Sequence, residues 1–200
     1  MFPRKYQEPL TILVLGGSQG AHRLNSLMLE AVEKCLLQRE PAPNIIHQTG
    51  ELDETQVRKK YAELGINAMV QSFFSEMAGI YSQADLVVSR AGATTLAELT
   101  VFHKPAILVP FPFAADNHQE INGRYLVEAG GGIMFKQSEL DGEKLGLEIK
   151  HLLADTALLA EMAANSGKIA RPEATVTIVN GCMELLKDKL SENTGKILAF

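Results

Sequence analysis

Leu10–Ala21 reads LTILVLGGSQGA, a strand-like run at Leu10–Leu15, apolar but for Thr11, closed by Gly16 and Gly17 and followed by small and polar residues. A short apolar run bounded by glycine is the pattern of a strand buried on both faces, and such strands belong to parallel sheets covered by helices. Beyond it, Leu27, Met28, Ala31, Val32, Cys35 and Leu36 recur at helical spacing, which predicts a helix over Asn25–Leu37. Strand, glycine-rich turn and helix make one unit, and the rest of the chain repeats it.

The repeats follow in order. Asn44–His47 is a strand, Leu52–Leu64 a charged helix and Ala68–Gln71 a third strand, with Ser75 as N-cap of a helix reaching Gln83. Leu86–Ser89 precedes a helix over Thr94–Phe102, and Pro105 opens a strand at Ala106–Val109. A loop with Pro110 and Pro112 leads to Asp116 or Asn117 as cap of a helix through Ala129. Gly130–Gly132 stops that helix before a short strand at Ile133–Phe135. Helices over Gly142–Leu153, Ala157–Ser166 and Thr175–Lys189 follow, broken at Arg171-Pro172. The expected fold is α/β, a Rossmann-like doubly wound parallel sheet of about six strands. It forms one domain over residues 1–189, with 190–200, which lack periodicity, as a flexible tail.

Composition narrows the partners. The chain has 200 residues, 46% hydrophobic and 22% charged, with net charge −5 and pI near 5.6. It shows no basic footprint for nucleic acid, which argues against such a partner. Cys35 and Cys182 both fall in helical segments and read as buried reduced thiols rather than a disulfide or metal set. Met1–Leu10 is polar and carries Pro3 and Pro9, unlike a signal peptide. No apolar run approaches the roughly 18 residues of a membrane span, so a soluble, cytoplasmic chain is expected.

In doubly wound sheets ligands sit beyond the carboxyl ends of the strands, so those loops hold the candidate chemistry. Gly16–Ala21 lets backbone N–H groups approach an anion at a helix N-terminus, and Ser18 adds a hydroxyl; the ordinary reading is a tight strand–helix turn. The loop matches neither the dinucleotide fingerprint nor a Walker loop. In Ser89–Glu98, Arg90 suits a diphosphate, Thr94 and Thr95 suit a cap or a ligand, and Glu98 suits the two hydroxyls of a ribose. On sequence alone the first-turn glutamate favoured by the helix dipole is the stronger reading of Glu98. Asp116, Asn117, His118, Gln119 and Asn122 are dense in hydrogen-bonding groups, as a sugar requires, although capping accounts for one of them. His47-Gln48-Thr49-Gly50 reads as a plain strand exit, and His22 and His103 as surface residues. No local set supplies a nucleophile with its base.

Taken in order, these loops resemble the C-terminal domain of the bacterial MurG family, the GT-B GlcNAc transferases that make peptidoglycan lipid II. The matching stretches are GGSQGA with Asn25, HQTG, FFSEMAGIYSQADLVVSRAGATTLAE at Phe73–Glu98, PAILVPFP at Pro105–Pro112 and DNHQEIN at Asp116–Asn122. They cover Leu10 to Leu186. The resemblance implies a UDP-GlcNAc-binding half of an inverting transferase that converts lipid I to lipid II. Ser18 would meet a donor phosphate, with Gly17 and Gln19 shaping the loop. Phe74 would meet uracil through its backbone, beside Met77. Arg90, Ala93, Thr94 and Thr95 would line the diphosphate and sugar, Glu98 would hold the ribose, and His118 and Gln119 would bind GlcNAc.

The same resemblance implies no cofactor, no metal ligand and no catalytic base in this chain. The base and the glycine-rich loops for the undecaprenyl-linked acceptor belong to an N-terminal acceptor domain, which would be absent or a separate chain. The isolated chain would then be inactive and prone to self-association, and the complete enzyme would sit peripherally at the inner face of the cell membrane. A UDP-sugar-binding module without transferase activity, the donor subunit of a two-chain enzyme, and an epimerase of the same fold are the alternatives. His103 stands before Lys104-Pro105 where the family usually has glycine, which would alter a turn.

Overall fold

A computed structural model describes residues 6–197, with side chains through residue 186. The strands are β1 (Thr11–Leu15), β2 (Asn44–Gln48), β3 (Ala68–Gln71), β4 (Leu86–Ser89), β5 (Ala106–Leu108) and β6 (Gly132–Met134). All pair in parallel in one sheet of order β3-β2-β1-β4-β5-β6, the doubly wound order expected. The direction of winding reverses between β1 and β4, the place at which doubly wound sheets ordinarily take their ligands.

The helices are α1 (His22–Ala31), α2 (Glu54–Glu63), α3 (Met77–Gln83), α4 (Ala93–Val101), α5 (His118–Glu128), α6 (Gly142–Ala154), α7 (Thr156–Lys168) and α8 (Ala174–Ile197). Strand alternation sorts the core into two layers. Ile12 and Val14 face one cluster with Leu24 and Met28 of α1, Val57 of α2 and Ile149 of α6. Leu13, Leu15, Val87 and Leu108 face the other, with Ile80 of α3, Leu99 of α4 and Leu126 of α5. Burial on both faces explains why β1 and β4 carry apolar runs rather than alternating ones.

Several boundaries differ from the sequence reading. The first helix begins at His22, before apolar periodicity sets in, and continues as a π-helical turn over Val32–Leu36, closed by the Leu37 N–H to Val32 O bond at 3.1 Å. Ser75 does not cap α3: the N-cap is Glu76, with no side-chain cap bond. Asn117 is the N-cap of α5 but at φ 52°, after Asp116 at φ 49°, and neither makes a cap bond. Asp141 and Asp155 do cap, accepting from Lys144 N–H at 2.8 Å and Leu158 N–H at 2.9 Å.

His103 is half-buried at φ 51°. It occupies the C′ position after α4, where its N–H meets Thr100 O at 3.2 Å and the Lys104 N–H meets Leu99 O at 2.8 Å. This Schellman pattern favours glycine, which gives the family's usual residue its reason.

The chain divides into two units, Met1–Ala170 and Arg171–Phe200. Helix α8 of the second unit runs to Ile197, past Lys189 where the sequence reading ends it, and residues 198–200 of the expected tail lie outside the described residues. Cys35 is buried as expected, but Cys182 on α8 is exposed, because a single helix has no interior of its own. No helix among the described residues is long and apolar enough to cross a membrane.

Candidate functional site

The glycine-rich loop leaves β1 at the winding reversal. Gly17 has φ +90° and a Cβ there would meet nothing within 4 Å, so glycine is required by the backbone and its face is open. Gly20 has φ +76° and a Cβ would lie 2.0 Å from Thr49 O, so this glycine lets the loop lie against the exit of β2. Ser18 and Gln19 between them are exposed.

That β2 exit is more than a strand end. Gln48, 5% exposed, donates from Nε2 to Gly17 O at 3.2 Å and accepts the Phe74 N–H at Oε1 at 3.0 Å. One carboxamide therefore ties the glycine-rich loop to the segment between β3 and α3. Asn25 donates to Thr49 O at 3.0 Å and Asp53 Oδ2 at 2.8 Å, which turns its Oδ1 toward His47 Nε2 at 3.0 Å. A carbonyl oxygen can only accept, so His47 is protonated at Nε2, and its Nδ1 accepts the Tyr61 hydroxyl at 2.9 Å. Burial pushes the His47 pKa down to about 3 against the opposing pull of Asp53, keeping the ring neutral. His22 is exposed as expected, yet its Nδ1 lies 3.0 Å from both Asp53 oxygens.

Phe74 is buried and Met77, at the start of α3, half-buried. Ala93 and Thr94 open α4 exposed, followed by half-buried Thr95 and Glu98. Glu98 Oε2 accepts the Tyr81 hydroxyl at 3.0 Å.

Arg90 ends β4 and is 7% exposed. Its NH1 donates to Val109 O at 2.9 Å and Pro110 O at 3.2 Å, and NH2 donates to Gln137 Oε1 at 2.7 Å. The guanidinium also lies 5.6 Å from the Phe111 ring centroid. It thus braces the loop after β5, a role the sequence reading did not assign to it. Ser89 Oγ beside it is buried without a hydrogen-bond partner, alone in this among the described side chains.

His118 Nδ1 lies 2.8 Å from Ala115 O, so in the neutral ring Nδ1 carries the proton and Nε2 is left to accept. Gln119 Oε1 accepts the Phe111 N–H at 2.9 Å, leaving its NH2 group to donate. An acceptor and a donor side by side at the start of α5 is what a sugar hydroxyl array needs. A cavity of about 340 Å³ adjoins them, lined in part by Phe111, Asn117, Glu120, Met134 and Lys136. Of the hydrogen-bonding cluster singled out in the sequence, Asn117 lines it, whereas His118 and Gln119 do not.

The residues expected to bind a nucleotide sugar thus fall on loops leaving β1, β3, β4 and β5, all at the carboxyl edge of the sheet. Gln48 and Tyr81 were missed, although both lie inside the stretches HQTG and FFSEMAGIYSQAD, because nothing local marks their partners.

Comparison with known proteins gives a consistent picture. Residues 11–178 match the glycosyltransferase family 28 C-terminal domain. The chain is 45% identical over 179 residues to the UDP-N-acetylglucosamine--N-acetylmuramyl-(pentapeptide) pyrophosphoryl-undecaprenol N-acetylglucosamine transferase of Myxococcus xanthus, covering 90% of this chain and 46% of that protein. It is 46% identical over 185 residues to the like-named transferase of Anaeromyxobacter sp. (strain Fw109-5), covering 92% and 48%. The crystal structure of Acinetobacter baumannii MurG superposes with a TM-score of 0.80 at 35% identity, over 90% of this chain and 51% of that one. The chain spans about half the length of the curated relatives it matches.

Proposed function

The chain belongs to the glycosyltransferase family 28 C-terminal domains, and on that premise we propose that it is the UDP-GlcNAc-binding half of an inverting N-acetylglucosaminyltransferase acting on lipid I to form lipid II. The observation that carries this reading is the gathering of the candidate residues on strand-end loops about the winding reversal. The names of the relatives support the choice of donor and acceptor.

In this reading the open face of Gly17, the Ser18 hydroxyl and the N-terminus of α4 with Thr94 and Thr95 receive the diphosphate. The segment of Phe74 and Met77 receives uracil, and Glu98 the ribose hydroxyls. His118 Nε2 and the Gln119 NH2 group sort the sugar hydroxyls by acceptor and donor. During transfer the acceptor oxygen bonds to the anomeric carbon while the bond from that carbon to the diphosphate oxygen breaks, and the acceptor's proton passes to a base on the acceptor domain. This half orients the donor and stabilises the charge gathering on UDP with preorganised N–H groups. Arg90 contributes as a fixed positive charge and as the brace of the sugar loop. Activity requires the acceptor domain, which also provides contact with the lipid at the cytoplasmic face of the membrane.

Calorimetric titration with UDP-GlcNAc, UDP-GalNAc, UDP-glucose and NAD tests the reading. UDP-GlcNAc should bind best, and Glu98→Ala should weaken it. Equal binding of all four, or a response indifferent to Glu98, would overturn it.

A further inference from the structure

Tyr81 sits on α3 with its side chain wholly buried, its ring stacked on Phe102 at 5.1 Å between centroids and 12° between planes. Its hydroxyl reaches Glu98 Oε2 on α4 at 3.0 Å. Burial is the main cause that pushes the Tyr81 pKa far up, reinforced by the Glu98 charge, so the phenol remains a donor throughout the range in which the protein is handled. Glu98 is half-buried, and its Oε1 makes no hydrogen bond among the described residues.

A glutamate on a helix surface ordinarily samples many rotamers, and a ligand that needs one of them meets the entropy of fixing it. A hydrogen bond from a rigid donor fixes it beforehand. The Tyr81 ring is rigid, because it is enclosed by the core layer of α3 and α4 and stacked on Phe102. We propose that Tyr81 is a positioning residue for nucleotide recognition: it holds the Glu98 carboxylate in one orientation with Oε1 open, preorganised for the vicinal hydroxyls of a ribose. This rests on the donor-site reading above and adds to it the residue that makes ribose selection effective.

Tyr81→Phe tests it, since it keeps the ring and the stacking and removes only the hydroxyl. Phe leaves no buried polar atom, and Glu98 can be hydrated where it stands, so the variant is expected to fold. Wild type and variant are titrated by calorimetry with UDP and with 2′,3′-dideoxy-UDP. The expected result is UDP binding weaker by up to about tenfold in the variant, the entropy of fixing the freed Glu98 side chain, with 2′,3′-dideoxy-UDP binding unchanged. Equal weakening of both ligands, or no change in either, would overturn the proposal. Phe102→Leu, which loosens the same packing but leaves the hydroxyl, should keep the preference for UDP; its loss there would assign the effect to packing and likewise overturn it. A wild-type protein that binds UDP no better than the dideoxy form sinks the donor-site reading itself, and the proposal with it.

Discussion

Gln48 Oε1 accepts the backbone N–H of Phe74 at 3.0 Å, across 26 residues of sequence. Through the second bond of the same carboxamide, to Gly17 O, the spacing between the glycine-rich loop and the segment of Phe74 is fixed by one buried side chain. Gln48→Ala leaves the buried Phe74 N–H unpaired, at a cost of about 1–3 kcal/mol. We expect a lower midpoint in urea and about tenfold weaker UDP binding by calorimetry. Unchanged stability with unchanged binding would show that the bridge is incidental.

Arg90 holds Val109 O, Pro110 O and Gln137 Oε1 together. A lysine cannot present that planar fork, so Arg90→Lys should destabilise by about 1–3 kcal/mol although the charge is kept. Amide exchange at Phe111, whose N–H is held by Gln119, should accelerate. Weaker UDP binding with stability and exchange unaltered would point instead to a direct contact with the diphosphate.

His47 makes stability depend on pH. Its pKa lies near 3 in the fold against an ordinary 6.5, so between these values the unfolded chain carries a proton that the folded one lacks. Stability therefore falls as pH falls through this window, by on the order of 1 kcal/mol per unit. Denaturant midpoints measured at pH 7, 6 and 5 should drop progressively. His47→Gln should be less stable at pH 7 but show a shallower decline on acidification.

His103 carries a side chain where the Schellman turn favours glycine. His103→Gly should relieve roughly 1 kcal/mol of left-handed strain and raise the melting temperature by a few degrees. A lowered melting temperature would mean that the packing of His103 against Gly167, where an added Cβ would lie 2.1 Å from the ring nitrogen, outweighs the strain.

The strands, the helices between them and the strand-end loops were legible because each rests on local signals. Apolar runs mark buried strands, a repeat near 3.6 residues marks helices, and glycine marks turns, and none of these needs a distant residue. Local signals failed at helix starts: α1 begins at His22 without an apolar residue or a cap bond, and Ser75 has a capping side chain in a place that uses none.

The sequence by itself determined a doubly wound sheet and placed the candidate residues on its strand-end loops. Only the tertiary structure decided what holds those loops. Gln48 meets Phe74 and Gly17, Tyr81 meets Glu98 across 17 residues, and Arg90 meets Gln137 across 47. Periodicity records which face of an element is buried, but a buried polar group must find its partner wherever the fold brings one within about 3 Å. That partner is chosen by the packing of separate strands and helices, and no spacing along the chain encodes it.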